Sequence, residues 1–237
     1  MKIEVWSDYV CPFCYIGKRK LEEAMANFPH KEEVEVIFKS YQLNPNAPLY
    51  NGQDYYETLA KKFGSIEQVK QMTNHIKQQA NLVGLDFQFD TMKQTNTFDA
   101  HRLAKFAESK GKGAAIAEAL LRAHFLESKD VGNIDELVEI AASVGLEKEE
   151  AFATLRNEQA FREEVETDLQ EATQFQITGV PFFIMNRKYA ISGAQPTETF
   201  TQALQQVWEE ERQTSPFQTI GTTEDTCGSD GCDIPEK

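Results

Sequence analysis

The spacing of hydrophobic and polar positions changes period along this chain. Between Lys2 and Ser7 the residues alternate, and Ile3, Val5 and Trp6 predict a short strand. From Phe13 onward the spacing turns helical through Ile16, Leu21, Ala24, Met25 and Phe28, and Pro12 suits a first helical turn. Val34 to Lys39 alternates less cleanly and predicts a buried strand, after which Asn44-Pro45-Asn46-Ala47-Pro48 breaks the chain. From about Asp54 to Gln174 the pattern is nearly all helical. Ser65 with Gln68 predicts a capping box opening a helix that runs towards Gly84, and Asn133 with Glu136 a similar start to a helix that Gly145 stops. Thr97 to Lys110 and Gly113 to Glu127 are two further amphipathic helices between them. Strand character returns at Pro181 to Met185 and Lys188 to Ser192, folded about Asn186-Arg187 as a hairpin, and Pro196 to Arg212 predicts a last helix. This order is an α/β fold: a βαβ unit completed by ββα and interrupted by a large all-helical insertion.

Composition narrows the classes. The 237 residues are 41% hydrophobic and 26% charged, enough to bury a core. The net charge of −14 disfavours nucleic acid and anionic membranes as partners. No run approaches the ~18 apolar residues of a membrane span. The charged, alternating start from Met1 to Asp8 does not read as a signal peptide, so a cytoplasmic location is expected. In a reducing cytosol, close cysteine pairs mark redox chemistry or metal ligation rather than structural disulfides.

The cysteines fall in two such pairs, Cys11-Pro12-Phe13-Cys14 and Cys227 to Cys232, with none between. Cys11 lies where the first strand turns into the first helix, and unpaired N–H groups with the positive helix end favour a thiolate there. Cys14, one turn on, reaches the same sulfur and is expected to be the more buried. Cys11 is therefore expected to attack a disulfide and Cys14 to resolve the mixed disulfide. Phe13 brings no donor or positive charge to the site. Half a zinc site is the alternative reading of the first pair.

Two segments carry a family resemblance. Ser7-Asp8-Tyr9-Val10-Cys11-Pro12-Phe13-Cys14-Tyr15-Ile16-Gly17 and Thr178-Gly179-Val180-Pro181-Phe182 resemble thioredoxin-fold oxidoreductases of the DsbA-like superfamily, nearest its FrnE-like branch. Asn96-Thr97, Ala100 to Leu103, His124-Phe125, Lys129-Asp130 and Tyr189 to Pro196 fit too, so the likeness spans roughly residues 1–212. It implies a thioredoxin-like domain from 1–45 and 175–212, with 46–174 as the helical insertion. It also implies a cis Pro181 facing the C-x-x-C and a Val180 backbone that pairs with substrate beside Cys11, with Phe13 as a further substrate contact. The implied activity is thiol–disulfide exchange on protein thiols and disulfides or small disulfides, serving redox stress, with no required cofactor or metal and glutathione as a redox partner. Kappa-class glutathione transferases and 2-hydroxychromene-2-carboxylate isomerases resemble the same superfamily. They usually carry Ser where this chain has Cys11 and lack the second thiol.

The remaining candidates read as structural. His101 and His124 sit within helical periodicity and are expected to be hydrogen-bonded structural histidines, with a catalytic base as the alternative that thiol–disulfide exchange does not need. Asp8 reads equally as a turn residue or as a proton carrier for the thiols, and Asn96-Thr97 as a helix cap. Tyr55, Tyr56, Phe87 and Phe98 are expected to be mostly core. Residues 213–237 hold five acids against one lysine and few apolar residues, so they read as a flexible tail. Cys227 and Cys232 have little packing reason to be there, and the tail is long enough to bring them to Cys11 and Cys14 as a relay. Zinc binding, as in a chaperone-like module, and an incidental tail are the alternatives for this second pair. Oligomeric state does not follow from the pattern.

Overall fold

The computed structural model describes residues 1–213. Strand β1 (Lys2–Ser7) leads into helix α1 (Pro12–Ala26), and β2 (Glu35–Ser40) returns parallel to β1. Seven α-helices follow among the described residues: α2 (Tyr55–Phe63), α3 (Ile66–Asn81), α4 (Phe98–Ser109), α5 (Gly113–Phe125), α6 (Ile134–Ser143), α7 (Lys148–Arg156) and α8 (Arg162–Gln174). The hairpin of β3 (Phe182–Met185) and β4 (Tyr189–Ser192) and helix α9 (Thr197–Gln213) complete the order. The strands form one sheet in the order β2-β1-β3-β4, with β3 antiparallel to both neighbours. This is the expected α/β architecture, with the helical insertion between β2 and β3.

Period-two alternation distributes the sheet's side chains. Ile3 and Val5 face α1 and α9, where Leu21, Ala24, Phe28, Phe200 and Leu204 pack with Phe183 and Met185. Trp6 and Ile184 face the other way, against Ala172 and Ile177 at the end of α8. The insertion has its own core, built on Phe87, Leu103, Ile116, Leu120 and Phe125, and Tyr15 and Ile16 of α1 are part of it. Each such side chain contributes roughly 1.5–3 kcal/mol on burial. The helix that carries the thiols is thus clamped between two cores.

A buried ionic knot fastens the insertion to the sheet. Asp168 of α8 is paired with Lys39 of β2 and with Lys105 of α4 at 2.7 Å, and it accepts the Ser40 N–H at 2.8 Å. The Trp6 indole N–H donates to the Asp168 carbonyl at 3.1 Å. Removing one partner of such a knot leaves an uncompensated buried charge.

Local signals explain most element ends. The Ser65–Gln68 capping box is complete. Asn133 accepts from Asp135 and Glu136 N–H, yet Glu136 does not reciprocate as the sequence suggested; its carboxylate takes the Asp130 N–H and Lys93 instead. At α4, Thr97 holds the N-cap position without a side-chain capping bond, and Asn96 Oδ1 receives the Phe98 N–H at 2.9 Å. Asn186 and Arg187 both take positive φ, the turn that suits a right-twisted hairpin. β2 was expected to be buried and is half-exposed, because it is an edge strand.

Candidate active site

The turn between β1 and α1 builds the site. Cys11 occupies the N-cap position with extended backbone (φ −93°, ψ 111°), and Pro12 starts the helix. The Cys11 N–H donates to the Asp8 carbonyl at 3.1 Å, and the Cys11 carbonyl receives the Cys14 N–H at 3.0 Å. These bonds set the two side chains in hydrogen-bond contact. Both are free thiols. The expected difference in burial is absent, since Cys11 is 3% exposed and Cys14 2%. Their neighbours differ instead.

Cys11 lies against the segment that leads into the hairpin. Its Sγ–H donates to the Val180 carbonyl at 3.5 Å, and the Val180–Pro181 bond is cis, as the resemblance implies. The Pro181 carbonyl accepts the Gly193 N–H at 2.8 Å, which ties this segment to the end of β4. Gly17 makes the approach of α1 possible: a Cβ there would stand 3.0 Å from Pro181 Cγ and 3.2 Å from Phe183 Cζ. Val180 packs half-buried against the Trp6 cluster, and Phe13 half-buried against the insertion core.

Cys14 faces inward. Burial pushes its thiol well up, and the adjacent Cys11 adds to the effect. Ser7 and the Asp8 backbone N–H act in the opposite direction, favouring its thiolate. Ser7 Oγ is buried and has no other hydrogen-bond partner. Cys14 therefore keeps its proton until something accepts it.

Behind the thiols, Asp8 is buried, and its carboxylate receives the Leu43 N–H at 2.8 Å and lies 3.4 Å from His101 Nε2. The sequence left Asp8 as either a turn residue or a proton carrier and gave no sign that it meets His101. The chain brings them together across 93 positions of sequence, with the Tyr9 ring 4.8 Å from the imidazole. His101 and His124 are buried as expected, but not bonded as expected: His101 Nε2 and both ring nitrogens of His124 have no hydrogen-bond partner. Burial pushes His124 down to about 4, partly opposed by the charge of Asp8. Tyr55 and Phe87 are core, Tyr56 donates to Asp90 at 2.8 Å, and Phe98 lies under Arg162. Sequence reasoning missed Gly17 and Ser7, although both lie in the stretch that carries the resemblance.

Among the described residues no group of three or more His, Cys, Asp and Glu side chains is arranged to hold a metal ion, and no helix is long and apolar enough to cross a membrane. Cys227 and Cys232 lie outside the described residues.

The model of the DSBA-like thioredoxin domain family matches residues 2–205, spanning strand, thiol pair, insertion, cis proline and about half of the last helix. The chain belongs to the DSBA-like thioredoxin domain family. It is similar to a probable DsbA oxidoreductase of Streptomyces coelicolor, at 39% identity over 100% of both chains and a TM-score of 0.85. It is also similar to YwbO of Bacillus subtilis, at 29% identity over 207 residues, 85% of this chain and 94% of that protein. A cytosolic disulfide reductase of Pseudomonas aeruginosa, DsbM, solved with GSH, shares the fold at 18% identity, covering 88% of this chain and 100% of that one with a TM-score of 0.59. The thioredoxin-like arrangement of the DSBA-like domain thus holds for the whole sheet and the helix that carries the thiols.

Proposed function

We propose that this chain is a cytoplasmic thiol–disulfide oxidoreductase that cycles Cys11 and Cys14 between dithiol and disulfide. Its substrates are protein disulfides or small disulfides, and glutathione is its redox partner. One observation carries the reading: two thiols in contact at a helix N-terminus, the first of them against the Val180 carbonyl before a cis proline. Residues 1–45 and 175–212 act as the exchanging unit, and 46–174 cap it.

Cys11 is the nucleophile because it stands at the helix end and at the Val180 edge, where an extended substrate strand can lie. As thiolate it attacks one sulfur of a disulfide, forming a Cys11 mixed disulfide and releasing the other sulfur as a thiolate. Cys14 then loses its proton and attacks Cys11 Sγ, and the second substrate thiolate leaves. The substrate gains two electrons and the dithiol loses two; run backwards, the same steps oxidise a substrate. Phe13 and Val180 supply the apolar contacts next to the reacting sulfur. The complete thiol pair argues against a glutathione-dependent isomerase or transferase, for which a second thiol has no use.

Insulin reduction, or reactivation of a scrambled disulfide protein, in a glutathione buffer of known potential tests the reading on wild type and Cys11→Ser. Loss of turnover in the variant is expected, and equal turnover would overturn it. Cys227 and Cys232 act as a relay that passes electrons to or from the first pair. Changing both to Ser is expected to slow turnover of a protein disulfide, and unchanged rates in both directions would remove the relay.

A further inference from the structure

Buried polar atoms without partners are rare in native proteins, and each asks for an explanation. Among the described residues seven such side-chain atoms occur; three of them, Ser7 Oγ, Asp8 Oδ1 and His101 Nε2, lie behind the dithiol, and both ring nitrogens of His124 are two more. Ser7 and the Asp8 backbone act on the Cys14 sulfur, the Asp8 carboxylate lies 3.4 Å from His101 Nε2, and its charge reaches His124. Packing explains why these residues are buried but not why their polar atoms go unpaired.

The exchange reaction supplies a reason. Resolution requires Cys14 to lose a proton in surroundings that hold it there. We propose that Asp8 and His101 together take up the proton that Cys14 releases as it attacks the Cys11 mixed disulfide, a role that rests on the exchange reaction proposed above. Oδ1 and Nε2 are neighbours that share no hydrogen bond, so a proton arriving on Nε2 breaks none and gains a charge-assisted bond to the carboxylate. The Leu43 N–H fixes the carboxylate through its other oxygen, and the Tyr9 ring holds the imidazole.

The titratable groups around the pair leave it this task. His124, from α5, stays neutral and does not compete for the proton. Cys14 of α1 is the donor. Tyr9, from the turn before α1, keeps its phenol protonated, with Asp8, Glu108, Asp168 and Cys14 reinforcing the effect of its burial. Glu108 and Asp168 are both paired with Lys105. The step balances. The Cys14 S–H proton passes to the Asp8–His101 pair, and the sulfur's electron pair forms the bond to Cys11 Sγ. The Cys11–substrate bond breaks, and its pair departs on the substrate thiolate, which is later protonated from His101 or solvent. Asp8 and His101 act through Cys14 and are positioning residues.

A single-turnover reaction of the reduced full-length chain with 5,5′-dithiobis(2-nitrobenzoate) separates the two steps, in a background where Cys227 and Cys232 are Ser. The first release of chromophore reports Cys11 attack and the second reports Cys14. Asp8→Asn, which keeps the Leu43 acceptor, and His101→Gln are each expected to slow the second release on the order of a hundredfold below neutral pH. The first release is unchanged, and the deficit closes as the pH rises and hydroxide takes over as acceptor. A second release equal to the parent's at every pH would overturn the role. So would a deficit that is the same at every pH, the mark of a structural loss. Should one variant fail to fold, the other decides. A parent that gives no second release overturns the exchange reaction and this role with it, whereas normal parent kinetics with unaffected variants overturns the role alone.

Discussion

At the scale of single residues, the site depends on a missing side chain as much as on its two thiols. Gly17 lies on α1 where the helix meets Pro181, and the atoms that a Cβ would press are those of a proline ring and a buried phenylalanine ring, which must shift to admit it. Gly17→Ala is expected to cost about 1–3 kcal/mol in denaturant unfolding, by overpacking. It also slows disulfide exchange, because the strain falls on the segment that carries Val180. A stable variant with wild-type turnover would contradict that close approach. The thiol pair at a helix start and the cis bond before Pro181 were legible in the sequence, the first from spacing and a helix start and the second from the family resemblance. Ser7 and Gly17 were not, because nothing in their neighbours along the chain says what they face.

At the scale of elements, the insertion is held by polar ties that no periodicity reveals. Arg102 of α4 is fully buried and donates to the carbonyls of Thr154, Leu155, Asn157 and Ala160, closing the C-terminal end of α7, while Asp99 pairs with it at 2.8 Å. Arg102→Met is expected to lower unfolding free energy by about 3–5 kcal/mol, because it strands a set of buried carbonyls and the partner charge. Chemical denaturation measures this directly, and a loss below about 1 kcal/mol would show that the carbonyls find other donors. Strands, hairpin and most helices were readable from period and caps, since those signals are carried within an element. Glu136 shows where such reading stops. Its position three residues after Asn133 promises a reciprocal cap, but Lys93 and the Asp130 N–H compete for the same carboxylate and win. α7 and α8 could not be told apart within the helical stretch, because the chain between them turns at Phe161 in the left-handed region without a glycine or proline to announce it.

At the scale of the whole molecule, buried titratable groups make stability fall with acid in two windows. The folded chain refuses a proton at His124 until about pH 4, whereas the unfolded chain accepts it near 6.5. More protons are bound by the unfolded state between those values, so stability drops as pH falls across them. Burial would raise the Glu118 carboxyl, but hydrogen bonds from Arg19, Lys18 and Tyr15 overcome it and hold the group at about 2 against an ordinary 4.5. A second loss follows from 4.5 downward, with the same sign. Melting temperature followed against pH is expected to lose its upper window in His124→Gln and part of its lower one in Glu118→Gln, and curves parallel to wild type would contradict both assignments. The fold as a whole was legible from its element order, but the meeting of Asp8 with His101 was not, because it exists only after the insertion packs on the thiol helix. The central claim, that Cys11 attacks and Cys14 resolves, is tested most directly by trapping. Full-length Cys14→Ser mixed with a disulfide-bearing peptide and analysed by mass spectrometry after proteolysis should carry the peptide on Cys11. A peptide found only on Cys227 or Cys232, or on no cysteine at all, would contradict it.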